Sequence, residues 1–227
     1  HICIYNTGSS YLQHLSAANR SFLRAHKLFF PGSASDAKMR SGAHTYGNAA
    51  KLTSWLLEGN TKKVERLLQS WKKSAAAQHC DRVLISNEGL LHAFSDPAAL
   101  ARFELAAASA GLDGIHVLAL FRDFDKHALS IYKHIGKCGA ATEFETWVSE
   151  NYHTPELIAR LLSSVPASKI KWSFRRYRKT PSFLEQLYFN DWLKTGRDYA
   201  RPHITVNASL PLPLLVGLNK LKDYTRM

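Results

Sequence analysis

Three short apolar runs limit the folds open to this chain. HICIY (1–5), RVLIS (82–86) and IHVLALF (115–121) are strand-length, and each is followed by small or polar residues. The stretches between them carry helical spacing instead. In TKKVERLLQSWKKSAAAQH, Val64, Leu67, Leu68 and Trp71 recur at three- and four-residue steps, with Thr61 as the expected N-cap. In DPAALARFELAAASAG, Asp96 is placed to cap a helix with Pro97 at its first position. Buried strands that alternate with helices predict an α/β fold with a parallel sheet covered on both faces. The expectation is a three-layer sandwich with a central, mainly parallel sheet, built as one domain over residues 1–227. In such sheets ligands bind beyond the carboxyl ends of the strands. That rule gathers three loops: 6–11, 86–88 and 122–130.

The remaining segments fit around this frame. TGSSYLQHLSAANRSFLRAHKL predicts a first helix, FFPGSASDAKMRSG a loop, and HTYGNAAKLTSWLLEGN a helix that stops at Gly59-Asn60. DFDKHALSIYKHIGKCG predicts another helix, and FETWVSENYHTPELIARLLSSV a helical stretch broken near Pro155. SKIKWSFRRYRK alternates apolar and charged residues, as an edge strand does. SFLEQLYFNDWLKTG predicts a final helix stopped by Gly196. No internal repeat or low-complexity tract interrupts the pattern.

Composition excludes several classes. With 45% hydrophobic and 21% charged residues, the chain can bury a sizeable core. No apolar run reaches eighteen residues, so no membrane span is expected. No signal peptide is visible; His1 is not an initiator methionine, so leading residues are expected to be missing or trimmed. Cys3, Cys80 and Cys138 are odd in number and far apart, which favours neither a disulfide framework nor a zinc ribbon. A reducing, cytoplasmic setting is the simplest expectation. The net charge of +12 (30 Lys and Arg against 18 Asp and Glu) fits either solvated basic faces or an anionic partner.

Four constellations carry chemistry. The first is the loop from Asn6 through Thr7, Gly8, Ser9 and Ser10 to Tyr11. Strand, small-residue turn and helix together present backbone N–H groups to an anion, and the hydroxyls add hydrogen bonds. The same tetrapeptide also suits a plain helix cap. The second is Arg122, just past a strand, with Ser130 eight residues on. An Arg there forks onto a phosphate, or it pairs with Asp123 or Asp125. The third is Glu88, a general base if burial raises its pKa, or an acid at a helix N-terminus. The fourth is His44, which titrates near neutrality but is one of eleven histidines. No metal site is expected.

The order of these pieces resembles the bacterial sulfotransferase-like proteins. The carriers are HICIYNTGSSYLQHL, a following FFPG, VLISNEGLL, and an apolar strand running into FRDFDKHALSIYK. VNASLPLPLLVGLN loosely matches the family's Asn-x-Ser-Leu segment, so the likeness spans roughly residues 1–220. The resemblance implies use of 3′-phosphoadenosine 5′-phosphosulfate. Residues Thr7 to Ser10 would cradle the 5′-phosphosulfate, and Arg122 and Ser130 the 3′-phosphate of donor or product. It implies sulfuryl transfer to a hydroxyl, or an amine, of a small-molecule or glycan acceptor, with Glu88 or His44 as base.

The sequence departs from the family at one telling place. The family's lysine falls at Asn6, and its glycine at Cys3. Losing a preorganised charged donor costs about 2.7–4 kcal/mol of transition-state stabilisation on the oxyanion-hole scale. The enzyme is then slow, uses another cation such as Lys27, or keeps binding alone as a non-catalytic module. A small-molecule kinase is disfavoured because no lysine-bearing phosphate loop is present. Nucleic-acid binding rests on charge and KWSFRRYRK alone and is also disfavoured. The acceptor pocket is expected in the loops at 31–48 and 139–155.

Overall fold

A computed structural model of the protein describes residues 1–3, 7–41, 43, 45–137 and 143–201. The expected strands appear, the first two of them shorter, together with one not expected, at Leu28–Phe29. Among the described residues they are β1 (Ile2–Cys3), β2 (Leu28–Phe29), β3 (Arg82–Val83), β4 (His116–Phe121) and β5 (Lys171–Arg176). Every ladder is parallel. One sheet has the order β1-β4-β5 and a second joins β2 to β3. Ile2 pairs with Ala119, Val117 with Trp172, and Leu28 with Arg82. His1 ties the two together: its backbone nitrogen donates to Ile85 O at 2.7 Å, and its carbonyl accepts from Asn87 N at 3.3 Å. The protein is therefore mixed α/β with short parallel sheets.

Eleven α-helices surround the strands among the described residues. They are α1 (Ser9–Ala18), α2 (Arg20–Ala25), α3 (Asp36–Arg40), α4 (Ala50–Leu57), α5 (Thr61–Ala77) and α6 (Leu90–Phe94). Then follow α7 (Pro97–Ser109), α8 (Phe124–Lys137), α9 (Phe144–Asn151), α10 (Thr154–Ser164) and α11 (Pro181–Glu185). Strand β4 shows how they pack. Its Val117 and Ala119 join one apolar cluster with Leu52, Val64, Phe94, Phe103 and Leu161, from α4, α5, α6, α7 and α10. Its Leu118 and Leu120 join another with Leu12, Leu15, Leu23 and Leu184, from α1, α2 and α11. Successive residues of a strand point to opposite faces, so a continuous apolar run feeds both clusters.

The differences from expectation have local causes. The first helix breaks at Asn19, whose amide donates to Leu15 O and Ala200 O, both at 2.9 Å, and accepts from Ala200 N at 2.7 Å. A side chain committed to that distant anchor marks the break between α1 and α2. Strand β2 straddles the expected end of the first helix and the start of the expected loop, and that loop also contains α3. Arg20 fixes it by pairing with Asp36 at 2.7 Å. Helix α5 is capped by Asn60, which accepts from Lys63 N, one residue before the expected Thr61. Asp96 caps α7 as expected, accepting from Ala98 N at 2.9 Å. The last helix widens into a π-helical stretch over Gln186–Trp192, where the consecutive Tyr188 and Phe189 are both fully buried. Strand β5 pairs only with β4 among the described residues, as an edge strand does. No described helix is long and apolar enough to cross a membrane.

Candidate site at the N-terminus of the first helix

Helix α1 begins without a side-chain cap. Its N-cap is Gly8, in the left-handed region at φ 82°. A Cβ there would stand 2.7 Å from Leu184 Cδ1 and 3.2 Å from Tyr177 Cε2, so both conformation and space require glycine. The first N–H groups of a helix have no partner within it. Gly8, at the cap position, has no side chain to offer them. Thr7, Ser9 and Ser10 are all buried. Asn6 lies outside the described residues.

The loop after β3 reaches the same place. Ser9 Oγ donates to Glu88 Oε1. Glu88 is 3% exposed, and its second oxygen has no partner. Burial pushes the carboxyl up from 4.5 to about 8. Residues 86–88 are held from the other side by the segment before α4. Asn48 Oδ1 accepts from Ser86 N at 2.8 Å, and Asn48 N donates to Ser86 O at 3.1 Å. Thr53 Oγ1 donates to Asn87 Oδ1 at 3.0 Å. Gly47, at φ 86°, lets this segment approach; a Cβ would fall 2.0 Å from Ser86 O. Thr45 Oγ1 donates to Gln13 Oε1 at 2.8 Å, while Gln13 Nε2 is buried without a partner. The end of β3 and the start of α1 thus meet around two unpartnered buried polar atoms, one from Glu88 and one from Gln13.

Arg122 joins this region through Tyr177. Its guanidinium carbon lies 5.8 Å from the Tyr177 ring centroid, and that ring borders Gly8. The alternative of an Arg122 pair with Asp123 or Asp125 is not what forms. Asp123 pairs instead with Arg176 at 2.6 Å and Lys126 at 3.3 Å, and the Arg176 hydrogen bond leads in holding its carboxyl low. Among the described residues Arg122 has no carboxylate partner. Ser130 lies half-buried within α8, which follows the same strand.

The structure separates other expected members. Tyr11 turns its hydroxyl to the buried Glu185, which also accepts from Tyr199 and pairs with Arg201 at 2.8 Å. Burial and that bond push the Tyr11 phenol well up. Lys27 precedes β2 and so stands at the amino ends of the parallel strands, opposite the α1 turn. It is therefore not placed to serve as a cation at that turn. His44 lies outside the described residues. Gln13 and Tyr177 lie outside the segments that the sequence marks for the site, whereas Asn48 and Asn87 fall within the expected 31–48 and 86–88 segments. Tyr177 follows an alternating, charged edge strand, which carries no local signal of a site.

Two cavities flank these elements. One of about 240 Å³ lies at the amino ends of β3 and β4, among Val83, Ile85, His116 and Trp192, away from the α1 turn. Another of about 460 Å³ lies between α6, α8, α9 and α10, lined by His92, Ile131, Trp147, Tyr152 and Arg160. It borders the helices that follow Glu88 and Arg122. The chain matches no family model, no curated protein and no solved structure.

Proposed function

We propose that the protein is a sulfotransferase that uses 3′-phosphoadenosine 5′-phosphosulfate. The observation that carries this reading is the glycine-led N-terminus of α1, whose cap residue has no side chain, with buried Glu88 and Gln13 atoms beside it that have no partner among the described residues. Unpaired donors at a helix start favour an oxyanion. In this reading the strands form one central sheet between two helical layers, with the site at the carboxyl end of β1. Thr7 to Ser10 hold the phosphosulfate, and Arg122 and Ser130 the 3′-phosphate. The acceptor is a small-molecule or glycan hydroxyl entering from the cavity between α6 and α10.

Transfer then proceeds in line. The acceptor oxygen attacks sulfur, and the bond from sulfur to the bridging phosphate oxygen breaks. 3′-phosphoadenosine 5′-phosphate leaves with that electron pair, and the acceptor proton passes to Glu88. A base tuned to about 8 is well matched to that task near neutral pH. Without a lysine at position 6, chemistry is slow, and binding without turnover is the second reading.

Thermal unfolding with 3′-phosphoadenosine 5′-phosphate tests the donor site. At one hundred times its Kd the ligand adds about 2.7 kcal/mol of stability. The wild type is expected to melt higher with this ligand and not with AMP, and Arg122→Ala to lose most of the gain. No rise at millimolar ligand would overturn the reading.

A further inference from the structure

We propose that Glu88 couples proton uptake to anion binding at the N-terminus of α1. This rests on the reading of that turn as an oxyanion site. The argument begins with crowding. Ser9, in the first turn of α1, already donates to Glu88 Oε1. A bound phosphate or sulfate oxygen would share that turn with the carboxylate. Two anions that close in a desolvated site repel each other strongly.

Protonation removes the conflict and supplies something further. The second carboxyl oxygen, Oε2, is buried and has no partner. Carrying the proton, it becomes an O–H donor for the ligand, which converts a repulsive neighbour into a hydrogen bond. Burial alone raises the Glu88 carboxyl to about 8, so the protonated form is already available at neutral pH.

The ionisable groups on the surrounding elements are Tyr11 and His14 on α1, Tyr46 before α4, Lys51 on α4, His92 on α6, His1 beside the end of β3, and Arg122 and Tyr177 on the Gly8 side of the turn. Tyr11 is committed to Glu185, and His14 Nε2 is buried without a partner among the described residues. His14 Nδ1 contacts Met39 O at 2.7 Å, and His1 Nδ1 contacts Ser86 Oγ at 2.8 Å. Lys51 is exposed, and no described cation forms an ion pair with Glu88.

Coupling between two sites is reciprocal. If a proton on Glu88 strengthens anion binding, the anion raises the proton affinity of Glu88 by the same factor. Donor affinity and turnover then oppose each other with pH. Binding favours the acid form, whereas accepting the substrate proton needs the carboxylate.

The test is titration calorimetry with 3′-phosphoadenosine 5′-phosphate at pH 7 and pH 9. With a free-state value of about 8, one linked proton predicts a Kd about tenfold weaker at pH 9. Ligand phosphates, with a second pKa of about 6, are ionised across that window and drive no such loss. Glu88→Gln, neutral at both values, is expected to flatten the dependence. On wild type at pH 8.5, repeating the titration in buffers of different ionisation enthalpy reads the proton directly, whether or not the variant folds. Net uptake on binding supports the coupling. Clear binding with a pH-independent Kd and no uptake overturns it and leaves the donor site standing. No binding at either pH overturns both.

Discussion

Replacing Glu88 with Gln isolates the cost of burying this carboxyl. The group is raised from 4.5 to about 8 by burial, and no described cation offsets the shift. The sign follows from proton counting. Between those two values the folded protein holds a proton that the unfolded chain has released. Stability therefore falls as pH rises through that interval, by about 1.4 kcal/mol per unit, and levels off above the folded value. Integrated between pH 5 and pH 9, the loss is about 4 kcal/mol. Glutamine cannot ionise and keeps a similar shape, so Glu88→Gln should escape the loss. Urea unfolding of both proteins at the two pH values measures it. The stability difference, variant minus wild type, should move in favour of the variant by about 4 kcal/mol from pH 5 to pH 9. Parallel curves would refute the argument, since they would mean that Glu88 titrates alike in the folded and unfolded states.

Two further substitutions test the scaffold. Gly47→Ala puts a Cβ 2.0 Å from the Ser86 carbonyl at φ 86°, so the loop that positions Glu88 must shift; chemical denaturation should show a loss of about 2–3 kcal/mol. Asp96→Ala removes the cap on Ala98 N and should cost about 1 kcal/mol in the same assay, with nucleotide affinity unchanged.

The parts of the fold written locally were the legible ones. The apolar run of β4, the helical spacing of α5 and the Asp96-Pro97 start of α7 each carry their signal within a few residues. What depends on distant partners was not legible. The break at Asn19 is made by a bond to Ala200, and the register of α3 by Asp36 meeting Arg20. The site divides the same way. The Thr7–Ser10 turn and Glu88 stand at strand ends, where parallel topology concentrates chemistry. Gln13 and Tyr177 matter only because folding brings Thr45 to one and Gly8 to the other. Tyr11 looked like part of the loop until its hydroxyl found Glu185, 174 residues along the chain.

The all-parallel pairing has a consequence for how the chain reaches this state. Ile2, in the strand nearest the site, stands in register with Ala119, and Leu28 with Arg82. None of these ladders closes through a hairpin, so loop closure must precede any reward from pairing, which slows folding. During synthesis β1 emerges first yet has no β4 to pair with until over a hundred more residues have followed. Until then HICIY is an exposed apolar segment, the kind that invites aggregation. The Thr7–Ser10 turn that follows it therefore gains its packing late, when β4 arrives.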